Sequence, residues 1–294
     1  MRVLMLSDVY FPRINGVSTA IQTYRQNLPQ QGISSTLLAP DYSQEGTSSI
    51  DRLPSWPVPM DREDRFVRPG LFRQRAIEAA ADCDLVHIQT PFSAHGAGVK
   101  AARRHGLPVV ASYHTLFEEY LQHYAPFLPA SWLKALARRI SRRQCNELDA
   151  VIVPSQPMHD RLREYGVTAP MHVLPTGIPL ARFSQGDRER FRLHNQIAPD
   201  RPVALYVGRA AHEKNIDFLI DAVHQVRLRH PELILLIAGE GPALSRLQEY
   251  ARALEMGESV RFIGYLDRGR ELPDCYAAAD LFVFASRTET QGLV

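Results

Sequence analysis

A glycine and a pair of cations carry the most chemistry in the 294-residue chain. Gly208 follows the apolar run Leu205-Tyr206-Val207, Arg209 comes next, and Lys214 stands just before a helical pattern that opens at about Asn215. A strand, a glycine bend and a helix start hold phosphate well, because the first amide N–H groups of a helix are unpaired and carry partial positive charge. Gly208 lets the backbone come close, and Arg209 and Lys214 add fixed charge on the same turn. That combination suits a diphosphate, whose charge is spread over several oxygens and grows if it becomes a leaving group. The competing reading makes Arg209 and Lys214 solvated surface charges on an ordinary loop. A single glycine turn does not decide between them.

Other residues stand where ligands collect in a parallel sheet, at the carboxyl ends of strands. Gly16 closes the loop Ser7–Gly16 after the first strand, where it serves either as a turn glycine or as a point of close ligand approach. His114 comes directly after the strand Val109–Tyr113, and reads either as a core or capping histidine or as a ligand contact. A neutral imidazole there can donate to a sugar hydroxyl.

These positions require a particular scaffold. Short apolar runs at Arg2–Leu6, Ser35–Ala39, Leu85–Gln89, Val109–Tyr113, Asp149–Val153 and Met171–Leu174 alternate with helical segments, including one over about Val17–Gln30. Strand, helix, strand at this spacing implies a parallel sheet with right-handed crossovers. Pro40–Asp64 reads as a loop, and Phe66–Arg75 as the start of a solvated helix with a lipid-facing patch as the alternative. Pro175-Thr-Gly-Ile-Pro179 punctuates the chain like a hinge, dividing an N-terminal domain, 1–179, from a C-terminal one, 180–294. A second alternation follows: strands at Val203–Val207, Leu233–Ala238, Val260–Leu266 and Leu281–Phe284, with another glycine turn at Gly239-Glu-Gly-Pro242.

Composition bounds the function classes. A net charge of +2 with 45% hydrophobic and 22% charged residues is ordinary globular composition and argues against a nucleic-acid partner. Cys83, Cys145 and Cys275 have neither disulfide nor zinc spacing, which fits a reducing, cytoplasmic setting. Met1–Leu6 is too short for a signal peptide, and no apolar run approaches the length of a spanning helix. Between Tyr120 and Asn146 no residue is acidic, and Lys134, Arg138, Arg139, Arg142 and Arg143 flank a helical stripe formed by Trp132 or Leu133, Leu136 and Ile140. That pattern fits a helix lying on an anionic, cytoplasmic membrane face and equally an amphipathic helix packed on its own sheet.

Four ordered motifs together resemble the family-4 retaining glycosyltransferases: Phe11-Pro-x-x-x-Gly16, Pro175-Thr-Gly-Ile, Gly208-Arg-x-x-x-Glu-Lys214, and Thr288-Glu-Thr-Gln-Gly-Leu-Val294 as the start of an E-x7-E signature. The resemblance implies the α/β GT-B fold, two Rossmann-like domains with parallel sheets facing across a cleft, the second incomplete here. It implies that Arg209 and Lys214, with the backbone at Gly208, Gly292, Leu293 and Val294, bind the donor diphosphate. Glu289 would contact donor-sugar hydroxyls, Gly16 would lie against the phosphate, His114 would approach the sugar, and Gly264 and Tyr265 would receive the base. It further implies a metal-free, cofactor-free transfer of a hexose with retention, in which the departing phosphate helps to deprotonate the acceptor.

Tyr113-His-Thr-Leu-Phe-Glu-Glu-Tyr120 followed by the cationic helix is similar to enzymes that glycosylate diacylglycerol, with mannosyltransferases close behind. A lipid or saccharide acceptor is therefore expected. The second glutamate of E-x7-E would fall three residues beyond Val294, so the chain reads as shortened at its C-terminus. Two alternatives follow: a nucleotide-sugar-binding protein with little turnover, and a dinucleotide-dependent oxidoreductase, which the missing GxGxxG after the first strand disfavours.

Overall fold

A computed structural model describes residues 1–42, 50–58, 61–114, 129–178, 180–286 and 289–292. Thr115–Tyr120, Pro179, Thr288, Leu293 and Val294 lie outside the described residues. The chain forms two compact units, Met1–Gly177 with Thr290–Leu293, and Ile178–Glu289 with Val294.

The first unit is built on strands β1 (Arg2–Leu6), β2 (Ser34–Pro40), β3 (Ile50–Leu53), β4 (Ser55–Val58), β5 (Asp61–Val67), β6 (Leu85–Ile88), β7 (Val109–Ser112), β8 (Ala150–Val153) and β9 (Met171–Val173). Seven of them make one parallel sheet in the order β3-β2-β1-β6-β7-β8-β9. Its helices are α1 (Gly16–Asn27), α2 (Pro69–Ala80), α3 (Ser93–His105), α4 (Ala130–Asn146) and α5 (Gln156–Glu164). Alternate residues of β1 bury against opposite faces: Leu4 and Leu6 join the cluster containing Phe72, Val86, Ile88 and Ala97, and Val3 and Met5 the cluster containing Val17, Ile21 and Leu37. A sheet covered on both faces needs such continuous apolar strands.

The order of strands reverses at β1, so the loops leaving β1 and β6 stand at a switch point. Asp8, in the first of those loops, accepts from the α3 amide of Ala94 at 3.2 Å and from the Thr90 hydroxyl at 2.7 Å.

Three sequence expectations need correction here. Pro40–Asp64 is not loop throughout: β3 extends the main sheet, and β4 pairs antiparallel with β5, setting Trp56 opposite Phe66. Both runs are short and interrupted by charge or proline, which hides their period. Phe66 accordingly lies in a strand, and the helix starts at Pro69, where a missing amide costs nothing. The first helix stops at Asn27 and continues as a tighter turn, Leu28–Gln31, because Pro29 cannot donate to the preceding turn.

The second unit contains α6 (Leu180–Phe183), α7 (Arg188–His194), β10 (Val203–Val207), α8 (Ile216–Val226), β11 (Ile234–Ala238), α9 (Leu244–Ala253), β12 (Val260–Gly264), α10 (Glu271–Ala278) and β13 (Leu281–Phe282). Its parallel sheet runs β12-β11-β10-β13, which makes β10 the strand at which the winding reverses. Ala204 and Tyr206 pack toward Ile216, Ile220 and Leu247, whereas Val203 and Leu205 pack toward Phe191, Cys275 and Ala278. The charged stretch after Phe183 is α7, bolted to α10 where the Arg190 guanidinium donates to Asp274 at 2.6 and 2.8 Å.

Candidate active site

In the second unit the carboxyl ends of β10, β11 and β12 each carry a glycine, and the turns interlock. The Gly208 amide donates to Ala238 O at 2.9 Å, the Gly239 amide to Gly264 O at 2.7 Å, and the Ala210 amide to Glu240 O at 2.9 Å. Gly239 (φ +137°) could not be replaced without conflict, since a Cβ there would stand 2.0 Å from Gly208 O. Glycine at these positions is thus what lets adjoining strand ends present bare backbone. The Glu240 carboxylate lies near Gly264, within 3.8 Å of where a Cβ would be, and Tyr265 beside it is half-exposed. In the sequence Glu240 is simply part of the turn Gly239-Glu-Gly-Pro242.

Lys214 ends a short turn, His212–Lys214, and Asn215 (φ 54°) redirects the chain into α8. The Lys214 ammonium pairs with the carboxylate of Glu289. The two arrive from the loops after β10 and β13, which are neighbouring strands. Ser286 Oγ also donates to Glu213 O at 3.5 Å, and Asn215 Nδ2 to Ala285 O at 3.4 Å. Arg209 follows Gly208, its carbonyl accepting from the Tyr206 phenol at 3.2 Å. Burial, reinforced by Glu289 and Glu213, pushes the Tyr206 pKa up, so this phenol stays a donor. The structure therefore brings Glu289, 75 residues beyond Lys214 in sequence, to the Gly208–Lys214 loop at the end of the central strand.

In the first unit Gly16 opens α1 behind Asn15, whose Oδ1 accepts from Ser18 N at 2.8 Å. Among the described residues a Cβ at Gly16 would meet nothing within 4 Å, and its φ is not left-handed, so neither their packing nor turn geometry demands a glycine there. His114 is half-buried, and burial lowers its pKa to about 4. The imidazole is neutral at pH 7. One ring nitrogen, Nε2, is already engaged with Gln89 Oε1 at 2.9 Å. The short C-terminal segment counted with this unit meets the same region: the Thr290 hydroxyl donates to His114 O at 2.9 Å, the Ser155 hydroxyl to Thr290 O at 2.7 Å, and Gln291 clasps both backbone groups of Thr176. Thr290 and Gln291 fall within the Thr288–Val294 motif without a role of their own there, and Gln89 belongs to no motif that would single it out by sequence. Gly292 has φ +75°.

Helix α4 turns inward one residue of the expected stripe, Leu133, together with three small residues outside it. Leu133, Ala137, Ser141 and Cys145 are buried, while Trp132 is 75% and Leu136 48% exposed. The small inward residues let the helix lie close to its sheet, and the large ones remain outside among the cations. A shallow cavity of ≈ 520 Å³ is lined by Lys134, Arg138, Arg139, Arg142 and Tyr165, with the Arg138 guanidinium 5.4 Å over the Tyr165 ring. Arg143 is drawn aside to Glu147 at 3.1 Å.

Among the described residues no group of three or more His, Cys, Asp or Glu side chains could hold a metal, and no helix is long and apolar enough to cross a membrane. Asp82-Cys83-Asp84 has Asp-x-Asp spacing but precedes β6 at the end remote from these loops, where Asp84 accepts from Arg2 N at 2.6 Å.

Residues 14–182 match Glycosyltransferase Family 4, and residues 187–294 match Glycosyl transferases group 1. The chain is 34% identical to the alpha-monoglucosyldiacylglycerol synthase of Streptococcus pneumoniae, over all of this chain and 68% of that protein. It is 28% identical to a GDP-mannose-dependent alpha-mannosyltransferase of Corynebacterium glutamicum, over 99% of this chain and 68% of that one. In three dimensions it is similar to the crystal structure of Anabaena HepE in complex with UDP and glucose, with TM-score 0.76 at 18% identity, covering 99% of this chain and 76% of the other. Sucrose-phosphate synthase from Thermosynechococcus elongatus gives TM-score 0.76 at 21% identity, over 99% and 77%. These similarities leave the oxidoreductase reading without support.

Proposed function

The chain belongs to glycosyltransferase family 4 and has the GT-B fold, and we propose that it moves a hexose from a nucleotide diphosphate sugar to a lipid hydroxyl. The observation that carries the reading is the meeting of Lys214 and Glu289 beside the Gly208 turn, at the end of the strand where the second sheet reverses. Cation, carboxylate and bare backbone at one strand end match the parts of a sugar nucleotide. Arg209, Lys214 and amide N–H groups take the diphosphate, and Glu289 accepts from sugar hydroxyls. Gly264 and Tyr265, two strands further along, take the base.

In the proposed reaction the bond from the anomeric carbon to the diphosphate oxygen breaks, and a bond to the acceptor oxygen forms on the same face of the sugar. The acceptor's proton passes to the departing phosphate. Lys214 and Arg209 stabilise the charge that develops on that phosphate, the service a metal ion performs elsewhere, so the transfer is proposed to need none. Gly16 approaches the phosphate, and neutral His114 orients a sugar hydroxyl rather than moving a proton. The lipid acceptor draws support from the glucosyldiacylglycerol synthase relative and from α4, whose exposed Trp132 and Leu136 stand among cations. Aromatic and aliphatic groups at the level of lipid headgroups, with cations facing anionic lipid, bind a protein peripherally at a cytoplasmic membrane face.

The test is transfer from labelled UDP-glucose and GDP-mannose to diacylglycerol in vesicles containing anionic lipid. Organic-soluble product with one donor is expected. Product confined to water-soluble saccharide would replace the lipid acceptor with a glycan, and donor binding without a single turnover would leave a nucleotide-sugar-binding protein.

A further inference from the structure

The first unit carries a polar ladder that the transfer chemistry above does not use in full. His87 and Gln89 lie on one face at the end of β6, and Ser112 and His114 on the same face at the end of β7. They pair in steps of 25 residues: His87 Nε2 with Ser112 Oγ at 2.8 Å, and Gln89 Oε1 with His114 Nε2 at 2.9 Å. Gln89 is only 1% exposed and its backbone amide is fixed to Leu6 O of β1 at 2.8 Å, so its carbonyl has little freedom to move. Its side-chain nitrogen is buried with no hydrogen-bond partner among the described residues. Methionine or leucine would fill the same space without leaving donors unmet, and burying an amide this way is costly. The cost is explained if the carbonyl end has a task.

We propose that Gln89 is a positioning residue: its side-chain carbonyl fixes the ring orientation and the tautomer of His114. A carbonyl only accepts, so the His114 proton must sit on Nε2, and Nδ1 is left as the ring's acceptor. His114 then receives a hydrogen bond from a sugar hydroxyl instead of donating one. The groups facing His114 agree with a ring held neutral: His87 is itself buried and uncharged, its pKa lowered by burial and then by His114 to about 3, and the Tyr24 ring of α1 lies against His87 at 5.6 Å. The consequence for specificity is chemical. The bound sugar must offer a free hydroxyl proton at this position, so a deoxy or O-methyl sugar there is rejected.

The inference rests on the reading of His114 as a sugar contact, and the experiment separates the two. Two-bond ¹H–¹⁵N correlation spectra of the ¹⁵N-histidine-labelled chain at pH 7, with His114→Asn to assign the signal, are expected to show His114 protonated on Nε2. A proton on Nδ1 would overturn the proposal without any assay of transfer. In Gln89→Met the signal is expected to become a mixture of tautomers, with kcat lowered by no more than the roughly tenfold that loss of the imidazole's own hydrogen bond costs, and donor KM changed far less. Gln89→Glu, which keeps the acceptor, is expected to restore the Nε2 proton and to move the acid limb of the pH–rate profile upward, because a carboxylate favours the imidazolium. An unaltered tautomer and rate in Gln89→Met would also overturn the proposal. Full transfer by His114→Ala, with the tautomer as stated, would instead remove His114 from the sugar.

Discussion

His114 and Lys214 occupy comparable places, each just past a strand of a parallel sheet, and their surroundings make opposite use of them. In the first unit burial leaves His87 and His114 uncharged, tied to the neutral partners Ser112 and Gln89. In the second unit Lys214 meets the carboxylate of Glu289, and Arg209 stands nearby in sequence. Neutral groups in a dry setting discriminate hydroxyls by hydrogen-bond direction. Fixed charges grip phosphate and gain strength as its charge grows. The proposed function gives the two parallel sheets different work: neutral groups that read hydroxyl direction in one, and charge that holds phosphate in the other.

The contrast breaks first at Lys214. Lys214→Ala is expected to lower kcat/KM roughly 10²- to 10³-fold, the usual cost of removing one preorganised partner of developing charge. His114→Ala, which removes one neutral hydrogen bond, is expected to cost only about tenfold. Equal losses in steady-state transfer kinetics would erase the distinction.

Acid should sharpen it. An unfolded histidine takes up a proton near pH 6.5, whereas folded His114 resists until about 4 and folded His87 until about 3. The unfolded state binds more protons in that window, so stability falls as pH falls, by about 3 kcal/mol per histidine at pH 4. Asp8 works in the other direction. Burial raises its pKa to about 6, so its cost at neutral pH is relieved on acidification, but one carboxyl does not offset two histidines. The two tryptophans, Trp56 and Trp132, both belong to the first unit, so urea unfolding followed by their fluorescence reports that unit alone. Its midpoint should drop between pH 7 and 4.5, and a flat profile would contradict the burial argument.

Glycine gives a smaller and cleaner contrast. Gly239→Ala places a methyl against Gly208 O at a left-handed φ, and should cost at least about 1–3 kcal/mol in calorimetric unfolding. Gly16→Ala meets nothing within 4 Å among the described residues and should leave the melting temperature unchanged while weakening donor binding by titration. Least of all, Arg142→Ser should lower partitioning onto anionic vesicles by about 1 kcal/mol in flotation, roughly fivefold.

Much of this division could be read from residue order. The double alternation of strand and helix was legible because both sheets are buried on two faces, which makes strands such as Leu205–Val207 and Leu233–Ala238 apolar runs bounded by glycine. Strands β3, β4 and β5 were not, since Ile-Asp-Arg-Leu and Ser-Trp-Pro-Val are too short and too polar to show a period. The grouping of Lys214 with Glu289 followed from family motifs, whereas the pairing of Gln89 with His114 did not. A glutamine after a strand looks like any surface residue until the register of β6 and β7 brings it to a histidine. The inward face of α4 was hidden for a related reason: beside Leu133 it is made of Ala137, Ser141 and Cys145, which are small, whereas hydrophobicity alone draws attention to the larger Leu136 and Ile140.

The interlocked bends after β10 and β11 bear on how this protein can be re-engineered. Because Gly239 and Gly241 sit hard against the carbonyls of Gly208 and Ala210, neither loop can be redrawn while the other stays as it is. A chimera that imports the donor preference of a relative must transplant both segments as a single cassette, and libraries that randomise one of them alone will return mostly misfolded clones.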